Sequence, residues 1–211
     1  MPSELPVPPD PLPAAVWEHL ERDPALRPIL TRHEPKWRDD HGGDVYFGLI
    51  RAITYQQLSG KAAGTIFGRF LDLFNDGYPH PEQLLAIDDT DLRAAGMSRS
   101  KAQYLKNVAQ FWLDERLLHT DWSEFTDEEI LDKLTAIKGV GRWTVEMILM
   151  FVLKRHDVLP LGDLVVRRNL ITTLGVREED FKGKALDREL ARLAEAWRPY
   201  RSWVSRLMWE L

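Results

Sequence analysis

The chain has 211 residues, with 28 Lys and Arg against 33 Asp and Glu, a formal net charge of −5 at pH 7, and 44% hydrophobic residues. This is an ordinary globular balance, long enough for one large domain or one domain of two lobes. There is no cysteine, which excludes disulfides, thiolate zinc sites and cysteine-ligated iron–sulfur clusters.

Met1–Pro13 is proline-rich and lacks the apolar and basic regions of a signal peptide. From there the pattern is helical almost throughout. A first helix runs from after Asp10 to about Glu21, and Asp23-Pro24 reads as a cap and first-turn proline for a second. His41-Gly42-Gly43-Asp44 is a break, with Asp44 capping a helix over Val45–Thr54. Ser59 caps a long helix ending near Asn75-Asp76-Gly77, and short helices follow at Pro81–Leu85 and about Thr90–Ala95.

Between Ser100 and Leu113, Tyr104, Leu105, Val108, Phe111 and Trp112 form a helical stripe. Thr126 with Glu129 is a capping box for a helix through Leu134. A tight turn at Ile137–Arg142 leads into a largely apolar helix from Trp143 to about Leu153. Further helices are expected at Asp163–Leu174, ended by Gly175, and at about Asp187–Trp197 and Tyr200–Trp209, parted by Pro199. No strand pattern intervenes, so the fold is expected to be all-α. The longest apolar run, Met147 to Leu153, is far below the roughly 18 residues of a membrane span. A soluble, cytoplasmic protein is expected.

An acidic total weighs against nucleic acid, but the local charge is different. Lys133 to Val145 holds Lys133, Lys138 and Arg142 with no acid, and Ser98 to Lys106 holds Arg99, Lys101 and Lys106 with none. Either stretch taken alone reads as a solvated face. Within the first lies Gly139-Val140-Gly141, at the head of a helix. Glycines there permit positive φ and close approach of a foreign backbone. The amides of Gly141, Arg142 and Trp143 would point outward at a helix N-terminus, an anion site by geometry and dipole. A few directed amides can replace a broad basic patch.

Leu134–Thr144 closely resembles the helix-hairpin-helix of the DNA glycosylase superfamily. Val158-Leu159-Pro160-Leu161-Gly162-Asp163 resembles that superfamily's loop ending in a catalytic aspartate. Ala52–Ser59 resembles its DNA-wedging segment. Trp197–Trp203 and Trp209 resemble the C-terminal helices of the bacterial 3-methyladenine DNA glycosylase II branch. The resemblance spans about Phe47 to Leu211. Little chain stands ahead of it, so that branch's N-terminal β-rich domain is expected to be missing. Two local departures, one extra residue before Asp163 and Met147 in place of a pocket tyrosine, leave the substrate range open.

The resemblance implies a two-lobed helical bundle with a cleft between the lobes. The middle lobe would be about 50–135, and the other the N-terminal helices with about 136–211. Asp163 would be catalytic, and Trp143, Trp209, Met147 and Tyr55 would form the base pocket. Gln57 and Leu58 would wedge the duplex, while Lys138, Gly139, Gly141, Arg142 and Thr144 would hold phosphates. The carbonyls of Thr135, Ile137 and Val140 would hold a structural Na+ or K+, and no other cofactor is implied. The partner would be double-stranded DNA containing alkylated bases, bound by a monomer.

The chemistry is consistent with a single carboxylate. Most glycosidic bonds need two carboxylates, one of them to protonate the leaving group. A purine alkylated at N3 or N7 is already cationic and needs no proton. What remains is positive charge developing on the sugar, which a fixed anion stabilises. Electron-rich indoles would favour a cationic base. In strand-cleaving members the Trp143 position is a lysine that attacks the sugar, so the chain is expected to release bases without lyase activity. The rivals are a non-catalytic DNA-binding module, or a glycosylase for uracil or an oxidised purine.

Overall fold

The computed structural model of the chain describes residues 12–33 and 43–211. The expected cap at Asp10 and the break at His41-Gly42 lie outside the described residues. In chain order the helices are α1 (Ala14–Leu20), α2 (Arg27–Leu30), α3 (Val45–Tyr55), α4 (Gly60–Leu71), α5 (Pro81–Ala86) and α6 (Asp89–Ala94). They continue with α7 (Arg99–Asp114), α8 (Asp127–Thr135), α9 (Arg142–Phe151), α10 (Leu164–Leu174), α11 (Ala185–Leu193) and α12 (Arg201–Glu210). None of the described residues lies in a strand. The fold is all-α, as expected. None of the described helices is long and apolar enough to cross a membrane.

The chain divides into two compact units, His41–Ile148 and Met1–Asp40 with Leu149–Leu211. The first is built on α7, against which α3, α5 and α6 pack. Ser98 starts α7 by accepting the Lys101 amide at 3.2 Å. The stripe read from the sequence then buries Leu105, Val108 and Trp112, while Tyr104 and Phe111 are only half-buried. Facing it, α3 buries Leu49, Ile50 and Ile53 completely, each contributing about 1.5–3 kcal/mol of hydrophobic stabilisation. Asp44 caps α3 through the Phe47 amide at 2.9 Å. The capping box of α8 is formed, with the Glu129 carboxylate accepting the Thr126 amide at 2.8 Å and Thr126 Oγ1 accepting the Glu129 amide at 3.3 Å.

In the second unit the N-terminal helices join the C-terminal ones in one core. Val16, Leu20, Leu26 and Leu30 bury with Val166, Leu170, Leu190, Trp197 and Leu207. The Trp197 indole N–H donates to Asp23 at 2.6 Å. Gly175 ends α10 in the left-handed conformation at φ 63°, the usual helix stop.

Two expectations are corrected. Asp23 does accept the Ala25 amide at 2.8 Å, but Pro24 begins only turns, and regular helix starts at Arg27. The helix after Ser59 stops at Leu71, because residues 72–77 close as successive turns, with no cap bond from the Ser59 side chain. The hairpin turn falls within the His41–Ile148 unit. The physical reason is α7: Asn107 Nδ2 donates to the Lys138 carbonyl at 2.9 Å, and Tyr104 packs under Gly139.

Candidate active site and phosphate-binding turn

The turn joins α8 to α9. Ile137 donates to Leu134, and Val140 donates to Ile137 at 3.0 Å. Helical bonding in α9 then begins with the Val145 amide on the Gly141 carbonyl at 3.2 Å. The first turn of α9 thus presents its amides toward the turn, where an anion is favoured. Ile137 and Val140 are buried and anchor the turn, whereas Lys138, Gly141 and Arg142 are exposed.

The two glycines have different causes. Gly139 has φ +106°, and a Cβ there would lie 2.3 Å from Tyr104 Cγ, so its glycine is demanded from inside the protein. Gly141 has no such φ, and a Cβ there would meet nothing within 4 Å. Nothing in the chain requires that glycine, which leaves an open surface for an external backbone.

Arg142 reaches forward one turn, donating from Nε to Glu146 at 2.9 Å, and the Glu146 side chain is only 6% exposed. Glu146 lies just past the acid-free stretch, and only the helical spacing of four could have paired the two from sequence. Thr144, in the same helical turn, is a buried residue, 3% exposed, turned inward by helical periodicity.

Trp143 and Met147 stand four residues apart on α9, hence on one helix face. Trp143 is 42% exposed and Met147 half-buried. Tyr55 closes α3, its ring against Phe67 at 6.0 Å with the Arg51 guanidinium 4.3 Å over one face. Just beyond it, Gln57 takes a left-handed backbone at φ 58° and Leu58 is 39% exposed. Left-handed non-glycine residues cluster at functional sites.

Asp163 lies in the other unit, at the head of α10. Its Oδ1 accepts the Val165 amide at 2.9 Å, the Val166 amide at 3.0 Å and the Trp209 indole N–H at 3.0 Å. The residue is therefore an ordinary N-cap as well as the aspartate of the motif. The third donor could not be read from the sequence: Trp209 is 46 residues away. Trp209 also packs on Phe151, ring centroids 5.7 Å apart, and Arg206 lies 5.0 Å over Phe151. Of the expected pocket residues, the structure brings Trp209 to Asp163 through its N–H rather than its face.

Helix α12 fixes the loop that delivers Asp163. Ser202 Oγ accepts the Val158 amide at 2.8 Å and donates to the Arg155 carbonyl at 2.7 Å, and Ser205 Oγ donates to Val158 at 3.2 Å. Arg201 clamps Asp157 with Nε at 2.7 Å and Nη2 at 3.0 Å, and Arg198 pairs with the same carboxylate. Such bidentate pairs fix geometry as well as energy. Two serines three apart among the apolar Trp203, Val204, Leu207 and Met208 of α12 were the available signal. Leu159 and Leu161 pack against the unit's core, and Asp163 donates its amide to the Pro160 carbonyl at 2.9 Å.

A glycine hairpin opening a helix, set in an all-helical pair of units with a capped aspartate, defines a class of DNA repair protein. Residues 50–199 match the HhH-GPD superfamily of base excision DNA repair proteins, and the chain belongs to that family. DNA-3-methyladenine glycosylase 1 of Schizosaccharomyces pombe is 44% identical over 126 residues, covering 59% of this chain and 55% of that protein. The sequence match thus spans little more than half of that relative's length. The S. pombe 3-methyladenine DNA glycosylase Mag1, solved in complex with abasic DNA, superposes with a TM-score of 0.77 at 30% identity, covering 93% of this chain and 96% of that one. A DNA-3-methyladenine glycosidase from Bacillus halodurans gives 0.77 at 31% identity, covering 94% and 88%.

Proposed function

We propose that the chain is a DNA glycosylase that hydrolyses the N-glycosidic bond of flipped-out alkylated bases, of the 3-methyladenine and 7-methylguanine type, in duplex DNA. The observation that carries this is Asp163, held by three donors on one oxygen, in a chain whose relatives are named 3-methyladenine glycosylases. It acts as a monomer inside the cell.

The turn grips the phosphates through Lys138, Arg142 and the amides at the head of α9. Gln57 and Leu58 enter the duplex where the base leaves, since a stacked base is out of reach. Trp143 and Met147 wall the base. The C1′–N bond then breaks with its electron pair passing to the base, which cancels the base's positive charge. Asp163 stabilises the cation left on the sugar. Water supplies the new C1′–O bond and gives up its proton to Asp163 or solvent. A Na+ or K+ held by the carbonyls of Thr135, Ile137 and Val140 fits the hard-oxygen chemistry of the turn and would add positive charge beside the phosphates.

Trp143 offers no amine, so the product is an intact abasic strand. Incubation with a methylated duplex is expected to yield free methylated base and a strand cut only by later alkali. A covalent enzyme–DNA adduct trapped by borohydride would contradict it.

Trp209→Phe keeps a ring on Phe151 and removes only the N–H to Asp163. A hydrogen bond to a charged group is worth about 1.5–3 kcal/mol, so single-turnover release is expected to slow about 10- to 100-fold. A wild-type rate in the folded variant would show that the N–H does not position the carboxylate.

A further inference from the structure

Lys101 looked from the sequence like part of a solvated basic face. Its ammonium instead donates to the carbonyls of Thr54 and Gln56, both at 2.7 Å. Those carbonyls lie at the end of α3, where the helix dipole favours a cation, immediately before left-handed Gln57 and exposed Leu58. On the tip itself, the Gln56 amide donates to the Ile53 carbonyl and the Leu58 amide to the Tyr55 carbonyl, both at 3.3 Å. Burial also pushes the lysine's pKa below its ordinary value, as fits a group drawn out of water toward backbone acceptors.

The same helix holds the phosphate-binding turn. Along α7, Lys101 reaches the tip, Tyr104 sits under Gly139, and Asn107 holds the Lys138 carbonyl. Six residues of helix, about 9 Å of rise, therefore separate the anchor of the tip from the anchor of the turn.

We propose that Lys101 is a positioning residue for duplex opening: through α7 it fixes the Gln56-Gln57-Leu58 tip at a set distance from the turn that grips the backbone. This rests on the glycosylase reading and on Gln57 as the wedge.

The test compares wild type, Lys101→Met, Lys101→Arg, Gln57→Ala and the Lys101→Met/Gln57→Ala double variant in single-turnover release of 7-methylguanine. Two substrates are used: a fully paired duplex, and the same strand with the lesion in a mismatched bubble. A base already unpaired costs less to extrude. On the duplex, Lys101→Met is expected to be slowed about tenfold, the factor of one charge-assisted hydrogen bond. On the bubble it should stay within about twofold, Lys101→Arg should recover most of the loss, and Lys101→Met should add nothing to Gln57→Ala. Lys101→Gln, with a shorter donor, gives the same comparison should the methionine variant not fold.

Wild-type duplex rates in Lys101→Met, equal slowing on both substrates, or additive losses in the double variant would each overturn the inference while leaving the glycosylase reading intact. No release by wild type from either substrate would instead overturn that reading, and the inference with it. A wild-type duplex rate in Gln57→Ala would remove the wedge, and with it the role of Lys101.

Discussion

Asp163→Asn is expected to lose base release by at least about 10²–10³-fold, roughly 3–4 kcal/mol, while keeping its fold and its grip on DNA. The electrostatic loss is large because the charge faces a cation that develops only in the transition state. The structural loss is small for a specific reason. Asn is as good an N-cap as Asp, and its carbonyl oxygen can still accept the Val165, Val166 and Trp209 N–H groups now on Oδ1. Single-turnover release measured beside thermal unfolding separates the two effects. A variant that melts like wild type and releases base like wild type would remove Asp163 from the chemistry.

The second large effect concerns stability, and it separates two glycines two residues apart. Gly139→Ala places a Cβ 2.3 Å from the Tyr104 ring at φ +106°. Overpacking and a disfavoured backbone each cost about 1–3 kcal/mol, so a total of about 3–5 kcal/mol is expected from a protein whose stability is of order 5–15 kcal/mol. In urea unfolding the midpoint should fall steeply. Gly141→Ala meets nothing within 4 Å, so its midpoint should hold or rise slightly, while affinity for an abasic-site duplex falls. Equal stability in both variants would mean that Tyr104 yields freely. Unchanged affinity in Gly141→Ala would mean that no backbone approaches there.

The helices of this chain were legible because their signals are local. The stripe from Tyr104 to Trp112, the Thr126–Glu129 box and Gly175 each act within a few residues. The misread starts and stops had a local cause too: Asp23 makes its cap-like bond to Ala25, but the chain stays in turns to Leu26. At the site, Asp163 was legible both as a cap and as the end of a motif. What sequence could not show were bonds across long separations. The Trp209 N–H on Asp163, the Ser202 clamp on residues 155–158 and the Lys101 hook on α3 each join residues more than 40 apart. The burial of Thr144 was not legible either, because a motif gives the order of residues, not which side of the helix faces inward.

One carboxylate suffices in this reaction because the leaving base is already charged. Side-by-side base release from duplexes carrying 3-methyladenine, 7-methylguanine, uracil or an oxidised purine tests it most directly. Both methylated bases are expected to be released, and none of the neutral ones, at comparable enzyme concentration. Release of uracil or the oxidised purine as fast as 7-methylguanine, or tight binding of every duplex with no base released, would contradict it.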